Sequence, residues 1–293
     1  MTTTKRNFVI YTAIIGNYDT IRQPEYIDER CDYILFSDTI SGSHYGVWQV
    51  HKIPYTNSKP SKIARWIKTH PEILLSEYKA SLWIDANIII SDEYVSNRIC
   101  ELYSLNTPIA GFKHAQRNCV YQEMFLLCNG FERESVVVKW GKKLRKEKYP
   151  QNNGLCETGI LYRNHNLSII KEFNQLWWEC IEKYSHRDQF SFNYCLWKKH
   201  IDLTYFISRE TTIYNYQHIK YIPYHSGNRP HLRVNHNEGW LKKYSQYTHK
   251  EKLIFKIYYW IYGTPTPIFW SYFLGLYFKA IYILKEKKRT AFK

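Results

Sequence analysis

The chain has 293 residues, of which 44% are hydrophobic and 17% aromatic, and its formal net charge is +15. That much apolar material excludes a disordered chain, and the charge points to anionic partners such as nucleotides, phosphates or lipid headgroups. Seven cysteines, an odd number without a Cys-x-x-Cys spacing, argue against a disulfide framework or a zinc site, so reduced buried thiols are expected.

Taken in order, Phe8 to Ile15 reads as a buried first strand closed by Gly16-Asn17-Tyr18-Asp19. It is too short and too abruptly ended for a secretory signal, so a cytoplasmic location is expected. Tyr33 to Phe36 is a second strand ending at Ser37-Asp38, and Trp48 to Ile53 a third. Ser58 to Thr69 has Lys59, Lys62, Arg65 and Lys68 three or four apart, the spacing of a basic helix face. A further helical stretch runs from Pro71 to about Tyr78.

Leu82 to Ile90 then reads as one buried strand interrupted by Asp85-Ala86-Asn87. A carboxylate in such apolar surroundings is costly unless it is paired. Asp85 and Asn87, two residues apart, suit a hard divalent cation that also holds substrate phosphates. The plain alternative is a turn in which both side chains bond their own backbone.

Helices are expected over Ser91 to Leu105, Val120 to Leu127, Ser135 to Lys148, Ser168 to Tyr184 and Asp188 to Lys199. Strands are expected over Ile109 to Phe112 and Thr158 to Tyr162, with extended segments at Ser208 to Tyr216 and Ile219 to Ile222. Alternating strands and helices imply an α/β fold with a mainly parallel sheet. Ligands in such sheets sit beyond the carboxyl ends of the strands, where Asp85 and Asn87 would lie.

Three more groups bear on that site. Gly16 allows close approach of backbone to ligand, and Tyr18 offers a ring for a base. Asp188 and Gln189 begin a helix, where Asp188 is either a cap or a carboxylate facing a substrate. Pro223-Tyr224-His225-Ser226-Gly227-Asn228-Arg229-Pro230 offers an imidazole for a metal and a guanidinium for phosphate.

In this order the pieces resemble the nucleotide-diphospho-sugar transferases of the GT-A fold, in particular the glycogenin and lipopolysaccharide galactosyltransferase family. The segments Leu82-Trp83-Ile84-Asp85-Ala86-Asn87, Lys113-His114 to Glu123, Gly154 to Gly159 and Arg187-Asp188-Gln189 are similar to the plant mucilage-type glycosyltransferase-like domain and its bacterial capsule relatives. The resemblance covers about Phe8 to Pro230. It implies a GT-A-like α/β domain over residues 1–247 that transfers a sugar, with retention weakly favoured, from a nucleotide-diphosphate donor to a saccharide or lipid-linked acceptor. It further implies Mn2+ or Mg2+ as cofactor, held by Asp85, Asn87 and His225. The donor-binding residues would be Thr12, Ala13, Asn17, Tyr18, Asp38, Arg65, Lys68, His114 and Arg229. Asp188 and Gln189 would act at the sugar, and Glu157 and Glu123 are the remaining carboxylates available as a base. Three departures stand out: Asn87 for the usual second Asp, Arg229 for Lys, and Phe190 for the last residue of an Asp-Gln-Asp segment.

A nucleic-acid binder is the rival class, prompted by the charge, but no recognised nucleic-acid motif is present and no such partner is expected.

From residue 248 the composition changes. Nine Lys or Arg face two Glu, among Tyr- and Trp-rich apolar runs broken by Pro265 and Pro267. Such a tail suits an anionic membrane surface, with the enzyme peripheral on the inner face. Full-length chain is expected to float with anionic liposomes, and a chain ending near Tyr247 to float less. Equal flotation of the two removes the membrane role from the tail.

Overall fold

The computed structural model describes residues 6–127, 132 and 134–223. His225, Arg229 and the basic tail lie outside the described residues. Two compact units are present. One runs to Asn118 and resumes at Gly154; the other contains the described residues between Cys119 and Asn153.

The first unit is built on an eight-stranded sheet in the order β3-β4-β2-β1-β5-β8-β7-β9. Its strands are β1 (Phe8–Ile14), β2 (Cys31–Ser37), β3 (His44–Tyr45), β4 (Trp48–His51), β5 (Ala80–Ile84), β7 (Ile109–Lys113), β8 (Cys156–Arg163) and β9 (Thr204–Tyr205). The centre is parallel: β1 pairs with β2 and β5, and β2 with β4. β8 enters antiparallel between β5 and β7, and the short β3 is antiparallel at its edge. The carboxyl ends of β1, β2, β5 and β7 and the start of β8 therefore share one edge of the sheet.

The continuous strand expected over Leu82 to Ile90 is broken in two. The Asp85 N–H bonds to the Gly159 carbonyl, and Ile88 N–H turns back to the Asp85 carbonyl. The chain then leaves the large sheet as β6 (Ile88–Ile90), which pairs antiparallel with β10 (Ile219–Tyr221). Asn87 fixes this change of partner, since its amide Nδ2 donates to the Ile222 carbonyl at 2.9 Å and Ile222 N–H donates to its carbonyl.

Helix α1 (Pro60–Thr69) starts with proline at its first turn and stops at His70, because the residue before Pro71 disfavours helical dihedrals. The expected second helix shrinks to α2 (Pro71–Leu74). α3 (Tyr94–Ser104), α6 (Ser168–Lys183) and α7 (Gln189–Lys198) complete the first unit. The second unit carries α4 (Val120–Leu127) and α5 (Glu134–Lys146). Ser208 to Tyr216 forms turns instead of a strand, and β3 and β9 are too short to show a periodic pattern. The cysteines at 31, 119, 156, 180 and 195 are buried free thiols, and Cys100 is a half-buried one.

A buried polar network locks the end of α1. The Lys68 carbonyl, in the last turn, has lost its helical partner. It accepts the Tyr11 hydroxyl at 3.0 Å and a guanidinium N–H of Arg163, which is fully buried. Arg163 also donates to Asn174, and Asn174 donates to Glu72. Burial raises the Glu72 carboxyl above the usual range, with the Arg163 charge opposing it.

His165 is buried beside this network. Its Nε2 bonds the Leu75 carbonyl at 2.9 Å, so Nε2 carries the proton and Nδ1 accepts from the Ser81 hydroxyl at 3.0 Å. Burial, assisted by the Arg163 charge, pushes this imidazole down to about 4. The unfolded chain then binds the proton first, so stability is complete above about pH 6.5 and is lost as pH falls towards 4. The loss is on the order of 3 kcal/mol. Denaturant unfolding at pH 7.5 and 5 is expected to show a smaller difference for His165→Gln than for the parent chain. Equal differences would contradict a neutral buried His165.

Candidate active site

The carboxyl-end edge collects the residues that the sequence singles out. Thr12 is buried in β1 and Ala13 half-buried beside it, and β1 leads to Gly16, whose φ of +65° suits glycine. A Cβ on Gly16 would lie 3.3 Å from the Pro60 ring at the start of α1. Asp38, just past β2, accepts the Gly16 N–H at 2.9 Å, so it shapes this turn. Asn17 follows in the left-handed region at φ +54°, and the partly exposed Tyr18 is within electrostatic reach of Arg65.

The centre is an ion cluster. Lys68 turns inwards from the basic face of α1; its side chain is 1% exposed. Its Nζ donates to Asp188 Oδ2 at 2.5 Å, lies 3.5 Å from Asp85 Oδ1 and 5.2 Å from the Trp83 ring centre. Arg65 Nε lies 3.1 Å from Asp188 Oδ1, and Thr158 donates its hydroxyl to Oδ2 at 3.0 Å. Burial alone would raise the Asp188 carboxyl, but Arg65 and then Lys68 hold it well below the usual carboxylate range. Burial would likewise lower Arg65, yet the charges of Asp188 and Asp85 raise it.

Asp188 therefore does not cap α7. Its backbone stands at the cap position with helical dihedrals, and its side chain makes no cap bond. A cap must face its own helix N-terminus, and this carboxylate is drawn instead to two cations on α1. The Asp188 carbonyl is held by Trp177 Nε1 at 2.9 Å, which fixes the turn before α7.

Asp85 stands where the large sheet gives up the chain. Trp83 Nε1 donates to its Oδ1 at 2.8 Å, and its side chain remains 39% exposed. Asn87 is buried and its amide nitrogen is committed to β10. Among the described residues no group of three His, Cys, Asp or Glu stands ready to hold a metal. Asp85 is thus the one described carboxylate of the expected ligand set, with His225 outside the described residues.

A second carboxylate, Glu157 at the start of β8, faces the same edge. His114 Nε2 lies 3.4 Å from its Oε1, and Gln189 Nε2 donates to its Oε2 at 3.3 Å and to the Cys156 carbonyl at 3.0 Å. His114 Nδ1 accepts the backbone N–H groups of Gln116 and Arg117, and Nε2 faces the Arg117 guanidinium at 2.8 Å, nearer than Glu157. Burial, then the Arg117 charge, pushes His114 down to about 3, so the ring stays neutral. Asn193 ties α7 to β8 by accepting the Cys156 N–H at 2.8 Å. Glu123 is buried on α4, in the second unit.

The edge thus unites Lys68, Arg65, Asp85, Asp188, Gln189, Glu157 and His114. Thr158, Trp83, Tyr214 and Tyr221 also belong to it and had no assigned role. Tyr214 and Tyr221 meet edge to face with ring centres 4.9 Å apart. Thr158 meets the ion cluster through Asp188, while its neighbour Glu157 meets Gln189 and His114.

Residues 1–218 match the family model described as TOD1/MUCI70, glycosyltransferase-like domain. The chain belongs to that family. The family match includes every described residue of the edge except Tyr221. A probable hexosyltransferase of Arabidopsis thaliana, MUCI70, is 22% identical over 219 residues, covering 64% of this chain and 37% of its own length. The chain thus spans well under half of that relative. Among solved structures, the apo form of the bifunctional glycosyltransferase WbbM is similar with a TM-score of 0.38 and 12% identity, over 68% of this chain and 38% of that one. No conclusion rests on that likeness. The family membership agrees with the resemblance drawn from the motifs.

Removing the Asp188 charge leaves Lys68 buried without its closest partner. Asp188→Asn is expected to cost on the order of 3 kcal/mol in urea unfolding, where loss of a helix cap costs about 1 kcal/mol. A loss of 1 kcal/mol or less would return Asp188 to the role of a cap.

Proposed function

We propose that this chain is a glycosyltransferase that moves a sugar from a nucleotide-diphosphate donor, a UDP-sugar in the first instance, to a saccharide or lipid-linked acceptor. Family membership supports the reaction class. The observation that carries the donor assignment is the charge balance at the Asp85 edge. Arg65 and Lys68 are matched by Asp188 and Asp85, so the four charges in contact sum to zero. These cations are therefore largely spent on protein carboxylates. A diphosphate arriving here needs further positive charge.

A divalent cation with the half-exposed Asp85 fits that need. Mn2+ or Mg2+ takes one or two protein carboxylates and completes its shell with water and substrate phosphates. Asp85 is the anchor, with Asn87 and His225 as the remaining ligands of the proposal. When bound, such an ion neutralises charge on the departing diphosphate. Arg229 is proposed to do the same from the protein side.

In the transfer, the bond from the sugar anomeric carbon to the phosphate oxygen breaks, and a bond to an acceptor hydroxyl oxygen forms. The hydroxyl proton leaves to a carboxylate or to the departing phosphate. Thr12, Ala13, Asn17, Tyr18 and Asp38 are proposed to seat the nucleotide beside the Gly16 turn. Arg65, partly exposed and held by Asp188, keeps an oriented guanidinium beside the donor, and the buried Lys68 holds Asp85 and Asp188 in place, which costs no reorganisation during reaction. Gln189 positions the sugar side, and His114, neutral by burial, braces Glu157 without adding charge. Retention and a peripheral location on the cytoplasmic face of the membrane are part of the same proposal. The basic aromatic tail supports that location. Among the described residues no helix is long and apolar enough to cross a membrane.

UDP with Mn2+ is expected to raise the melting temperature of the full chain, because a ligand that binds only the folded state stabilises it. Asp85→Ala is expected to fold, to lose most of that rise and to lose transfer from UDP-sugars. A parent chain that does not respond to UDP with Mn2+, or an Asp85→Ala chain that turns over normally, would overturn the assignment.

A further inference from the structure

Asp85 has two sides. Its Oδ1 faces Lys68 and α1. Its Oδ2 faces Gly159, where an added Cβ would lie 3.5 Å from it and 3.6 Å from Ile213. The first side is filled by the ion cluster; the second holds no second ion pair with Asp85. Tyr221 is within electrostatic reach of both Asp85 and Glu157, and Tyr214 of Glu157.

Tyr221 sits on β10, opposite Ile88, and so stands directly beside the Asp85-Ala86-Asn87 turn. Asn87 pins that strand through the Ile222 carbonyl. Tyr214 stands edge to face against Tyr221, at 80° and 4.9 Å, yet is 54% exposed. An aromatic ring held by a neighbour and left open to water is a rigid apolar plate with a polar tip. Each phenol carries a hydroxyl that both donates and accepts hydrogen bonds. Glu157 is immobilised by His114 and Gln189 and is an acceptor.

We propose that Tyr214, Tyr221 and Glu157 form the acceptor subsite, which takes a pyranoside with one C–H face on the Tyr214 ring and a hydroxyl on Glu157. The mixture of ring face, phenol donors and a carboxylate acceptor matches a sugar, which shows an apolar face and a rim of hydroxyls that donate and accept. It suits a bare nucleotide diphosphate poorly, because Glu157 repels one. The acceptor would then lie beside the Asp85 that anchors the donor's cation. This inference rests on the glycosyltransferase reading above. Tyr214 and Tyr221 are specificity residues in it, and Glu157 orients the acceptor hydroxyl.

The test is saturation-transfer NMR on the full chain with methyl glucosides, galactosides and mannosides, each with and without UDP and Mn2+. The parent chain is expected to saturate at least one glycoside. Tyr214→Ala is expected to weaken that glycoside roughly fivefold, equivalent to about 1 kcal/mol. Tyr221→Phe, which keeps the ring and loses the donor, is expected to weaken it less. In both variants UDP affinity by calorimetry stays within about twofold of the parent, because neither ring belongs to the donor side. Because Tyr214 is half exposed, its removal leaves the core intact, and a melting curve of each variant checks this. No glycoside signal from the parent, or the same signal from Tyr214→Ala, overturns the subsite. A glycoside that depends on Tyr214 in a chain that ignores UDP keeps the sugar subsite and removes the donor reading instead.

Discussion

One constraint organises this molecule: a lysine ammonium has to be kept charged inside the protein. Lys68 is almost without solvent, and Asp188 is only slightly more exposed. An isolated ion there would be prohibitive, and even a pair is favourable only when further hydrogen bonds satisfy both partners. Arg65 and Thr158 brace the Asp188 carboxylate, and the Asp85 charge lies 3.5 Å from the ammonium. They come from α1, β8 and the end of β5, while Asp188 itself begins α7. The ion cluster is thus also the point where four elements are forced into register. The Arg163 network fixes the Lys68 backbone from behind, through the Lys68 carbonyl.

The topology explains why the chemistry gathers at one edge. Parallel β1, β2 and β5 deliver Gly16, Asp38 and Asp85 at their carboxyl ends. Antiparallel β8 runs the other way between β5 and β7, so its first residues, Glu157 and Thr158, arrive at the same edge. Thr158 then meets the ions through Asp188, and Glu157 meets Gln189 and His114. Asn87 redirects the chain into a second small sheet, which brings Tyr221 and, through the turn before it, Tyr214. One reversal of strand direction and one change of strand partner separate a charged half from an aromatic half.

Much of this was legible in the sequence, and unevenly. The strands β1, β2, β5 and β8 are nearly continuous apolar runs because they are buried on both faces, and such runs announce themselves. Asp85 was visible because a carboxylate between Trp83-Ile84 and Ile88-Ile89 has few innocent explanations. Lys68 was placed at the donor by resemblance, while its three- and four-residue spacing with Lys59, Lys62 and Arg65 fits a solvated face equally well, and only tertiary contact with Asp188 turns it inwards. For Asp188 the sequence left a cap and a substrate-facing carboxylate both open, since Asp before a helix is commonly a cap, and its contacts with Arg65 and Lys68 exclude the cap. The break of the strand at Asp85 was hidden because β6 is as apolar as β5. Tyr214 lies in a turn-rich segment with no period, so its pairing with Tyr221 is a property of the fold alone.

Denaturant unfolding of the parent chain, Lys68→Met, Asp188→Leu and the double variant isolates the coupling between the two side chains. If the buried pair is the constraint that sets this site, each single change strands a charge and costs on the order of 3 kcal/mol, whereas the double change costs far less than their sum. The coupling is then about 2 kcal/mol or more. Single costs that add within about 0.5 kcal/mol would mean that the two groups do not depend on each other, and would contradict the account at its centre.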